Sequence, residues 1–143
     1  MPTCKELCGN LSSRTLRWVV TGGAGFIGSH LVESLLSLGQ KVTVLDNFLS
    51  GRESNVEEAR KLSTGRDPSF RLLKGDIRDM EQCREACHGA DIVLHHAALV
   101  SVPRSFQEPH LNNSCNITGF LHMLTHASDE GGRAFVYPSS AAV

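Results

Sequence analysis

The stretch Trp18-Val-Val-Thr-Gly-Gly-Ala-Gly-Phe-Ile-Gly-Ser-His30 decides the fold of this chain. It starts as an apolar, β-branched run typical of a buried parallel strand, and it ends in the first turn of a helical pattern. A glycine turn between strand and helix leaves the first amides of the helix without partners. Those amides and the helix dipole favour a negative charge, such as the pyrophosphate of a dinucleotide.

The glycines of this turn fit two spacings. Gly23, Gly25 and Gly28 match G-x-G-x-x-G, whereas Gly22, Gly25 and Gly28 match G-x-x-G-x-x-G. In either reading, the glycines provide a tight turn, a close approach to a phosphate, and close packing of helix on strand. The sequence alone leaves both readings open.

Strand and helix patterns alternate along the rest of the chain, joined by short connections. Strands are predicted at 17–21, 41–46, 70–74, 91–95 and 134–137, and helices at 26–38, 53–62, 80–87 and 111–128. A loop with Pro103 and Pro109 precedes the last helix, whose residues Ile117, Phe120, Leu121 and Leu124 are expected to face inward. This order predicts an α/β fold with a Rossmann-like doubly wound parallel sheet over residues 17–143, truncated after the fifth strand. Residues 1–16 are predicted to be a polar tail.

Charge and hydropathy exclude several kinds of partner. Fourteen basic and fifteen acidic residues give a net charge of -1, so a nucleic acid or an anionic membrane is not expected as a partner. No apolar run approaches the ~20 residues of a membrane span. The polar N-terminus lacks the apolar core of a secretory signal, so we expect a cytoplasmic protein.

The five cysteines are predicted to be free thiols, since the chain has enough apolar residues to build a core without disulfides. Three pairs of metal-ligating residues are spaced four apart: Cys4/Cys8, Cys83/Cys87 and His122/His126. These spacings match no closed zinc pattern, so no metal site is predicted.

Chemically distinctive residues lie where the predicted strands end, at the edge where such sheets bind ligands. Asp46 ends the second strand at about the ~20-residue offset of an acid that binds a ribose. Its carboxylate would accept both ribose hydroxyls and repel a 2′-phosphate, which favours NAD over NADP. Arg52 argues against this preference for NAD, because a guanidinium near the ribose would accommodate a 2′-phosphate. The alternative role of Asp46 is a surface turn.

The ends of the third and fourth strands continue this series. Asp76 and Ile77 would flank an adenine, although Asp76 or Asp79 would serve equally well as a helix N-cap. Ala97 and Ala98 are small, as a cofactor that passes close to the backbone requires.

Polar residues also end the fourth and fifth strands. His95 and His96 are candidates for acid–base work, but a histidine that ends a buried strand is more often structural. Ser139 and Ser140 would hydrogen-bond a substrate oxygen or form a turn.

Together these segments resemble the extended short-chain dehydrogenase/reductases, and within them the nucleotide-sugar epimerases. The segments are Thr21-Gly-Gly-Ala-Gly-Phe-Ile-Gly28, Leu45-Asp-Asn-Phe48, Gly75-Asp-Ile-Arg-Asp79, His95-His-Ala-Ala98 and Ser139-Ser140. The segments Ala97-Ala-Leu-Val-Ser-Val-Pro-Arg-Ser105, Glu108-Pro109 and Asn116-Ile-Thr-Gly119 look more narrowly like the UDP-N-acetylhexosamine 4-epimerases.

The resemblance implies NAD as cofactor and a UDP-sugar as substrate. It implies that Gly22, Gly25, Phe26, Ile27 and Gly28 bind the pyrophosphate, Asp46, Asn47, Ser50 and Gly51 the ribose region, and Asp76 and Ile77 the adenine. It also implies that Ala97 and Ala98 line the nicotinamide side and that Asn116 supports the pocket. Ser101 would contact the sugar, and Ser140 would be the catalytic residue of this chain, hydrogen-bonding the 4-hydroxyl of the sugar.

In this family, a tyrosine takes the proton of the 4-hydroxyl while hydride leaves C4, and the hydride returns to the other face. The Tyr-x-x-x-Lys pair that does this is not in these 143 residues, and Tyr137 is not its tyrosine. The resemblance implies a homodimer, while the state of this fragment stays open. Related dehydratases carry Thr-Asp-Glu where this chain has Ser140-Ala141-Ala142, and alanine transfers no proton.

These features leave three readings. The first is the NAD-binding part of a 4-epimerase that acts on UDP-N-acetylhexosamines or on UDP-glucose and UDP-galactose. The second is an NAD-binding fragment without activity of its own. The third is another sugar-nucleotide enzyme of the same branch, such as a decarboxylase.

Overall fold

The computed structural model describes residue 9, residues 11–62 and residues 69–139. Ser140, which the resemblance assigns to the sugar, lies outside the described residues, and so do Cys4, Cys8 and most of the predicted tail.

The helices and strands alternate as predicted. In chain order they are β1 (Arg17–Thr21), α1 (Phe26–Ser37), β2 (Lys41–Asp46), α2 (Glu53–Leu62), β3 (Phe70–Lys74), α3 (Met80–Cys87), β4 (Ile92–His95), α4 (Val102–Gln107), α5 (Pro109–Asn113), a π-helical turn (Ser114–Gly119), α6 (Phe120–Asp129) and β5 (Ala134–Val136). None of the helices in the described part is long and apolar enough to cross a bilayer.

The sheet is parallel throughout, with strand order β3-β2-β1-β4-β5. Val19 of β1 pairs with Thr43 on one side and with Val93 on the other. The chain therefore winds outward in one direction from β1 to β3 and in the other from β4 to β5. This confirms the Rossmann-like fold and places the reversal of strand order between β1 and β4.

Helices cover both faces of the sheet, and successive side chains of a strand point to opposite faces. Each strand therefore contributes to two buried clusters. Val19 packs in a cluster with residues of α3 and α6, such as Cys83 and Met123. Trp18 and Val20 pack on the opposite face against α1. This two-sided burial explains why β1 is a continuous apolar run rather than an alternating one.

The helical region before β5 differs from its prediction in two ways. The expected loop contains α4, with Pro103 in its first turn, and α5 begins at Pro109. Proline is tolerated at these positions because the first amides of a helix need no intrahelical partner. Helical structure then continues to Asp129 through the π-helical turn.

The inward face predicted for this helix is wrong for three of its four residues, since only Phe120 packs inward, against His95 and Phe135. Ile117, Leu121 and Leu124 are 56%, 52% and 38% exposed, whereas Met123 and Ala127 are buried. Both sets recur at helical spacing, so periodicity could not decide between them. The face with Met123 and Ala127 packs against α3 and against β4 of the sheet.

Gln40 ties the residues before β1 to the domain. Its side chain is fully buried, and its Oε1 accepts hydrogen bonds from the Leu16 amide (2.9 Å) and Trp18 Nε1 (3.2 Å). Its Nε2 donates to the carbonyls of Leu11 (2.9 Å) and Arg14 (3.1 Å). Packing of the domain therefore includes residues that precede the predicted boundary at 17.

Candidate functional site

An open cleft of ≈ 680 Å³ lies at the carboxyl ends of the strands. Of the residues predicted from the sequence, it brings together Gly22, Gly25, Phe26, Ile27, Gly28, Asp46, Asn47, Ser50, Asp76, Ile77, Ala97, Ala98 and Ser101. Gly51 and Asn116 lie behind the lining. The cleft spans the point where strand order reverses, which is the usual ligand site of such sheets.

The glycine turn follows the reading with Gly22, Gly25 and Gly28. Gly22 has a left-handed φ of 69°, and a Cβ there would lie 2.8 Å from the Ala97 nitrogen, so only glycine fits. Gly23 packs instead against Val44, on the side away from the cleft.

The N-terminus of α1 opens into the cleft without a side-chain cap. Its N-cap is Gly25, which offers no acceptor to the first amides of the helix. A Cβ on Gly28 would overlap the Gly22 carbonyl oxygen, so this glycine lets the helix approach the turn closely. Uncapped amides and the positive end of the helix dipole together favour an anionic group.

Asp46 organises the turn as well as lining the cleft. Its carboxylate is only 7% exposed and accepts hydrogen bonds from the amides of Ala24 (2.9 Å) and Phe48 (2.8 Å). Each oxygen keeps a second lone pair that can accept a ligand hydroxyl. The surface-turn alternative does not apply, because the side chain is buried between two loops.

A polar group at the end of β3 continues the lining. Asp76 accepts hydrogen bonds from Asn47 Nδ2 (2.9 Å) and from the Arg78 guanidinium (2.7 Å). The bonds from Arg78 hold the pKa of the Asp76 carboxyl at about 2, against the opposing effect of partial burial. The N-cap of α3 is Asp79, so Asp76 is not needed as a cap.

Gly51 supports the turn from behind. A Cβ on Gly51 would lie 2.7 Å from the Ala24 side chain, so the glycine lets the two loops pack together. The Ala24 carbonyl accepts hydrogen bonds from the Arg52 amide (3.0 Å) and Asn55 Nδ2 (2.8 Å). The Arg52 side chain is exposed and does not line the cleft.

Thr21 organises the end of β4. Its buried hydroxyl accepts hydrogen bonds from the amides of His96 (3.2 Å) and Ala97 (3.1 Å) and lies 2.9 Å from His95 Nδ1. Burial lowers the pKa of His95 to about 4, so its ring is neutral. Because the Thr21 hydroxyl already accepts hydrogen bonds from two amides, it donates its own hydrogen bond to His95 Nδ1. His95 therefore has a structural role, while His96 lines the cleft.

Asn116 fixes the loop that follows β4. From the π-helical turn, its Oδ1 accepts the Leu99 amide (2.8 Å) and its Nδ2 donates to the Leu99 carbonyl (3.0 Å). Single π-helical turns occur often at functional sites. This one orients Asn116 toward the loop, so the side chain supports the cleft without lining it.

Sequence reasoning missed several residues of the lining. They include Leu45, Leu49, Gly75, Leu99, Val100, Arg104, Cys115 and Pro138. Most follow a strand end by one to five residues, which is the signal that would have found them. Arg104 and Cys115 had no such signal, because helices that follow β4 bring them to the cleft.

The cysteines of the described residues are buried. Cys83, Cys87 and Cys115 carry free thiols, and burial raises the pKa of Cys83 and Cys87 to about 12. Within the described ranges, no group of three His, Cys, Asp or Glu side chains could hold a metal ion.

Comparison with known proteins gives a family match over most of the chain. The matching family model, covering residues 18–143, is described as "NAD dependent epimerase/dehydratase family". One curated relative, the UDP-glucose 4-epimerase of Erwinia amylovora, is 37% identical over 127 residues, which cover 87% of this chain and 37% of the relative.

Solved structures give the same picture. A UDP-glucose-4-epimerase from Stenotrophomonas maltophila with bound NAD and formylated UDP-arabinopyranose matches with a TM-score of 0.78 and 34% identity, over 90% of this chain and 38% of that one. A UDP-N-acetylglucosamine 4-epimerase from Methanobrevibacter ruminantium in complex with UDP-N-acetylmuramic acid matches with a TM-score of 0.78 and 35% identity, over 91% and 39%. The chain thus spans less than two fifths of the length of these proteins.

Proposed function

This chain belongs to the NAD dependent epimerase/dehydratase family, and from that premise we propose that it is the NAD-binding portion of a nucleotide-sugar 4-epimerase. The observation that carries the proposal is the uncapped N-terminus of α1, which opens into the same cleft as Asp46 and Asp76. An anion site next to carboxylates that accept hydrogen bonds from hydroxyl or amino groups suits the pyrophosphate and the adenosine of a dinucleotide.

The residues present fit NAD in order along the cleft. The turn at Gly22, Gly25 and Gly28 binds the pyrophosphate, with the amides of Phe26 and Ile27 as donors. The ribose lies at Asp46, Asn47 and Ser50, and Gly51 supports that loop from behind. A buried carboxylate at this position disfavours a 2′-phosphate, which supports NAD over NADP.

The remaining residues continue from the adenine to the sugar. Asp76 accepts from the adenine amino group and Ile77 packs on the ring. Ala97 and Ala98 leave room for the nicotinamide, and Asn116 holds the loop beside them. Ser101 and Ser140 hydrogen-bond the sugar, the latter at its 4-hydroxyl.

The chemistry follows from that placement. Bound NAD supplies a reversible hydride acceptor at C4 of the sugar. This chain's part is to hold the nicotinamide and the sugar carbon in register. The proton of the 4-hydroxyl falls to the tyrosine of the family's Tyr-x-x-x-Lys pair, which these 143 residues do not contain.

The substrates we propose are the UDP-N-acetylhexosamines, with UDP-glucose and UDP-galactose as the alternative pair. The segment from Ala97 to Ser105 supports the first choice through its resemblance to the N-acetylhexosamine enzymes. Matches to a UDP-glucose 4-epimerase and to a UDP-N-acetylglucosamine 4-epimerase keep the alternative in place.

Calorimetric titration with NAD tests the proposal. The chain is expected to bind NAD, and Gly25→Ala to weaken binding by about tenfold, because the methyl group enters the phosphate site. The new Cβ would also meet the Gly22 carbonyl oxygen at 3.2 Å, a tight contact, so the thermal stability of the variant is measured beside its NAD affinity. Gly9→Ala, at an exposed glycine where a Cβ would meet no atom within 4 Å, is the control for the same change and is expected to leave NAD affinity unaltered.

Two outcomes would contradict this function. Absence of both binding heat and a thermal shift with NAD would reject the cofactor site. Interconversion of UDP-glucose and UDP-galactose by the 143-residue chain would reject the assignment of proton transfer to a pair outside it.

We also propose that the protein dimerises through the outer face of its long helical segment. Ile117, Leu121 and Leu124 form an exposed apolar stripe there. A stripe at helical spacing is suited to packing against the same stripe of a second copy.

A further inference from the structure

Arg104 is the one lysine or arginine among the described residues that line the cleft. The other charged groups of this lining are Asp46 and Asp76, and Arg78 already compensates the Asp76 carboxylate. Burial lowers the pKa of His96, so this ring is neutral at pH 7. Among the described residues of the lining, a ligand with several negative charges therefore meets a single cationic side chain, that of Arg104.

The backbone and one carboxylate fix the position of Arg104. Ser101 caps α4 and accepts a hydrogen bond from the Arg104 amide at 3.4 Å. The Arg104 Nε donates to the Glu108 carboxylate one turn later. Glu108 thus occupies one edge of the guanidinium.

The terminal nitrogens of the guanidinium carry four further N–H donors in a planar fork. This fork matches two oxygens of one phosphate group or of neighbouring phosphates. The Arg104 side chain is 35% exposed, so solvent only partly screens its charge. A residue so placed binds a diphosphate more readily than a neutral sugar or base.

We propose that Arg104 binds the diphosphate of a nucleotide seated in this cleft. The diphosphate belongs either to the dinucleotide or to the nucleotide sugar, and the two sources share the chemistry that the guanidinium recognises. The inference rests on the proposed function, because it takes the cleft to be a nucleotide site, and it adds a residue that the glycine turn does not supply.

Calorimetric titrations of the 143-residue chain with NAD and, separately, with UDP-glucose test this role. Arg104→Gln is expected to weaken the binding of one of them by about tenfold and to reduce the dependence of that affinity on salt. Arg104→Lys, which keeps the charge but loses the fork, is expected to recover part of the loss. Arg84→Gln removes an exposed arginine of α3 that is paired with Glu81 and is the matched control.

The two probes identify the source of the diphosphate. A loss confined to NAD assigns Arg104 to the dinucleotide, and a loss confined to UDP-glucose assigns it to the nucleotide sugar. Affinities of Arg104→Gln within twofold of the parent for both probes would overturn the inference while leaving NAD binding intact. A parent chain that binds neither probe would instead reject the proposed function.

Discussion

His95 shows at the scale of one residue how the end of β4 is built. Its ring stacks on Phe135 and meets the edge of Phe120, with ring centroids 5.6 and 5.4 Å apart. Its Nδ1 accepts the Thr21 hydroxyl, and that hydroxyl in turn accepts two amides of the loop beside the cleft. A charged imidazole in this place would be deprived of its hydration. Its protonated Nδ1 would also no longer accept the hydrogen bond from the Thr21 hydroxyl.

Protonation of His95 is therefore expected to destabilise the fold. Burial lowers its pKa from 6.5 to about 4, so between these values the unfolded chain takes up a proton that the folded chain does not. Stability is lost as pH falls through this window, by roughly 3 kcal/mol at its lower end. His95→Phe keeps the ring stacking and is expected to flatten the curve of unfolding free energy between pH 6.5 and 4.5.

Urea denaturation at several pH values measures this effect. His110→Phe, at an exposed histidine of α5, is the control and is expected to keep the parent slope. The Asp76 carboxyl loses its contribution only at lower pH, between 3.8 and about 2, because its pKa is lowered. An unchanged slope in His95→Phe would show that this ring is not the group responsible.

Sequence reasoning located residues of the cleft well but not their hydrogen bonds. Asp46 and Asp76 were placed correctly at strand ends because the apolar runs before them are clear. The Asp46 carboxylate accepts hydrogen bonds from the amides of Ala24 and Phe48, and only the tertiary structure brings Ala24 close to Asp46. The choice of Asp79 over Asp76 as N-cap depended on where α3 begins, which local sequence does not fix.

The π-helical turn is the decisive feature at the scale of an element. It lies between α5 and α6 and brings Asn116 to both backbone groups of Leu99. Gly119 ends the turn, where any Cβ would lie 2.7 Å from the Ile77 side chain. The turn thus connects the loop after β4 with the loop after β3 across the cleft.

Asn116→Ala is expected to lower the unfolding free energy by about 1–3 kcal/mol, because the Leu99 amide and carbonyl lose their partners. NAD affinity is expected to fall as well, since the loop at Ala97 and Ala98 loses its anchor. Asn113→Ala, at an exposed position of the same helical segment, is expected to stay within about 0.5 kcal/mol of the parent.

Urea denaturation and NAD titration of the two variants provide the comparison. Equal stability and equal affinity for Asn116→Ala and Asn113→Ala would show that the clamp on Leu99 is dispensable.

At this scale the sequence predicted where helices and strands occur more reliably than which faces they bury. The long helix was expected near its observed position, yet its π-helical turn has no recognisable sequence signature. Its apolar stripe was assigned to the core, although Met123 and Ala127 pack there instead. Hydrophobic period alone does not distinguish a core face from a face that binds another chain.

At the scale of the whole molecule, the stripe of Ile117, Leu121 and Leu124 is an exposed apolar face on a long helical segment. Leu121→Lys is expected to shift the chain toward monomer, because a charge at the centre of the stripe opposes close packing with a second copy. Thr118→Lys, an exposed neighbour on the same segment, is the control for added charge. Sedimentation velocity over a range of concentrations measures both, and a parent chain that is monomeric throughout would contradict self-association.

The family and the doubly wound sheet were predicted correctly from the sequence, and the NAD-dependent family description agrees with the predicted cofactor. These predictions succeeded because glycine spacing and apolar strand runs are local signals. The Gln40 hydrogen bonds join residues distant in sequence, and Arg104 reaches the cleft only through the helices that follow β4. No local pattern reveals either.

The central position of β1 has a consequence for the order of folding. Its partner β2 follows it in the chain after a single helix. In the β1–β4 pair, by contrast, Thr21 and His95 are 74 residues apart. Closing the longer loop costs more chain entropy, and parallel strands offer no hairpin to nucleate the sheet. We therefore expect the β1–β2–β3 half to assemble first. Docking of β4, which completes the cleft, would then be the slow step of folding.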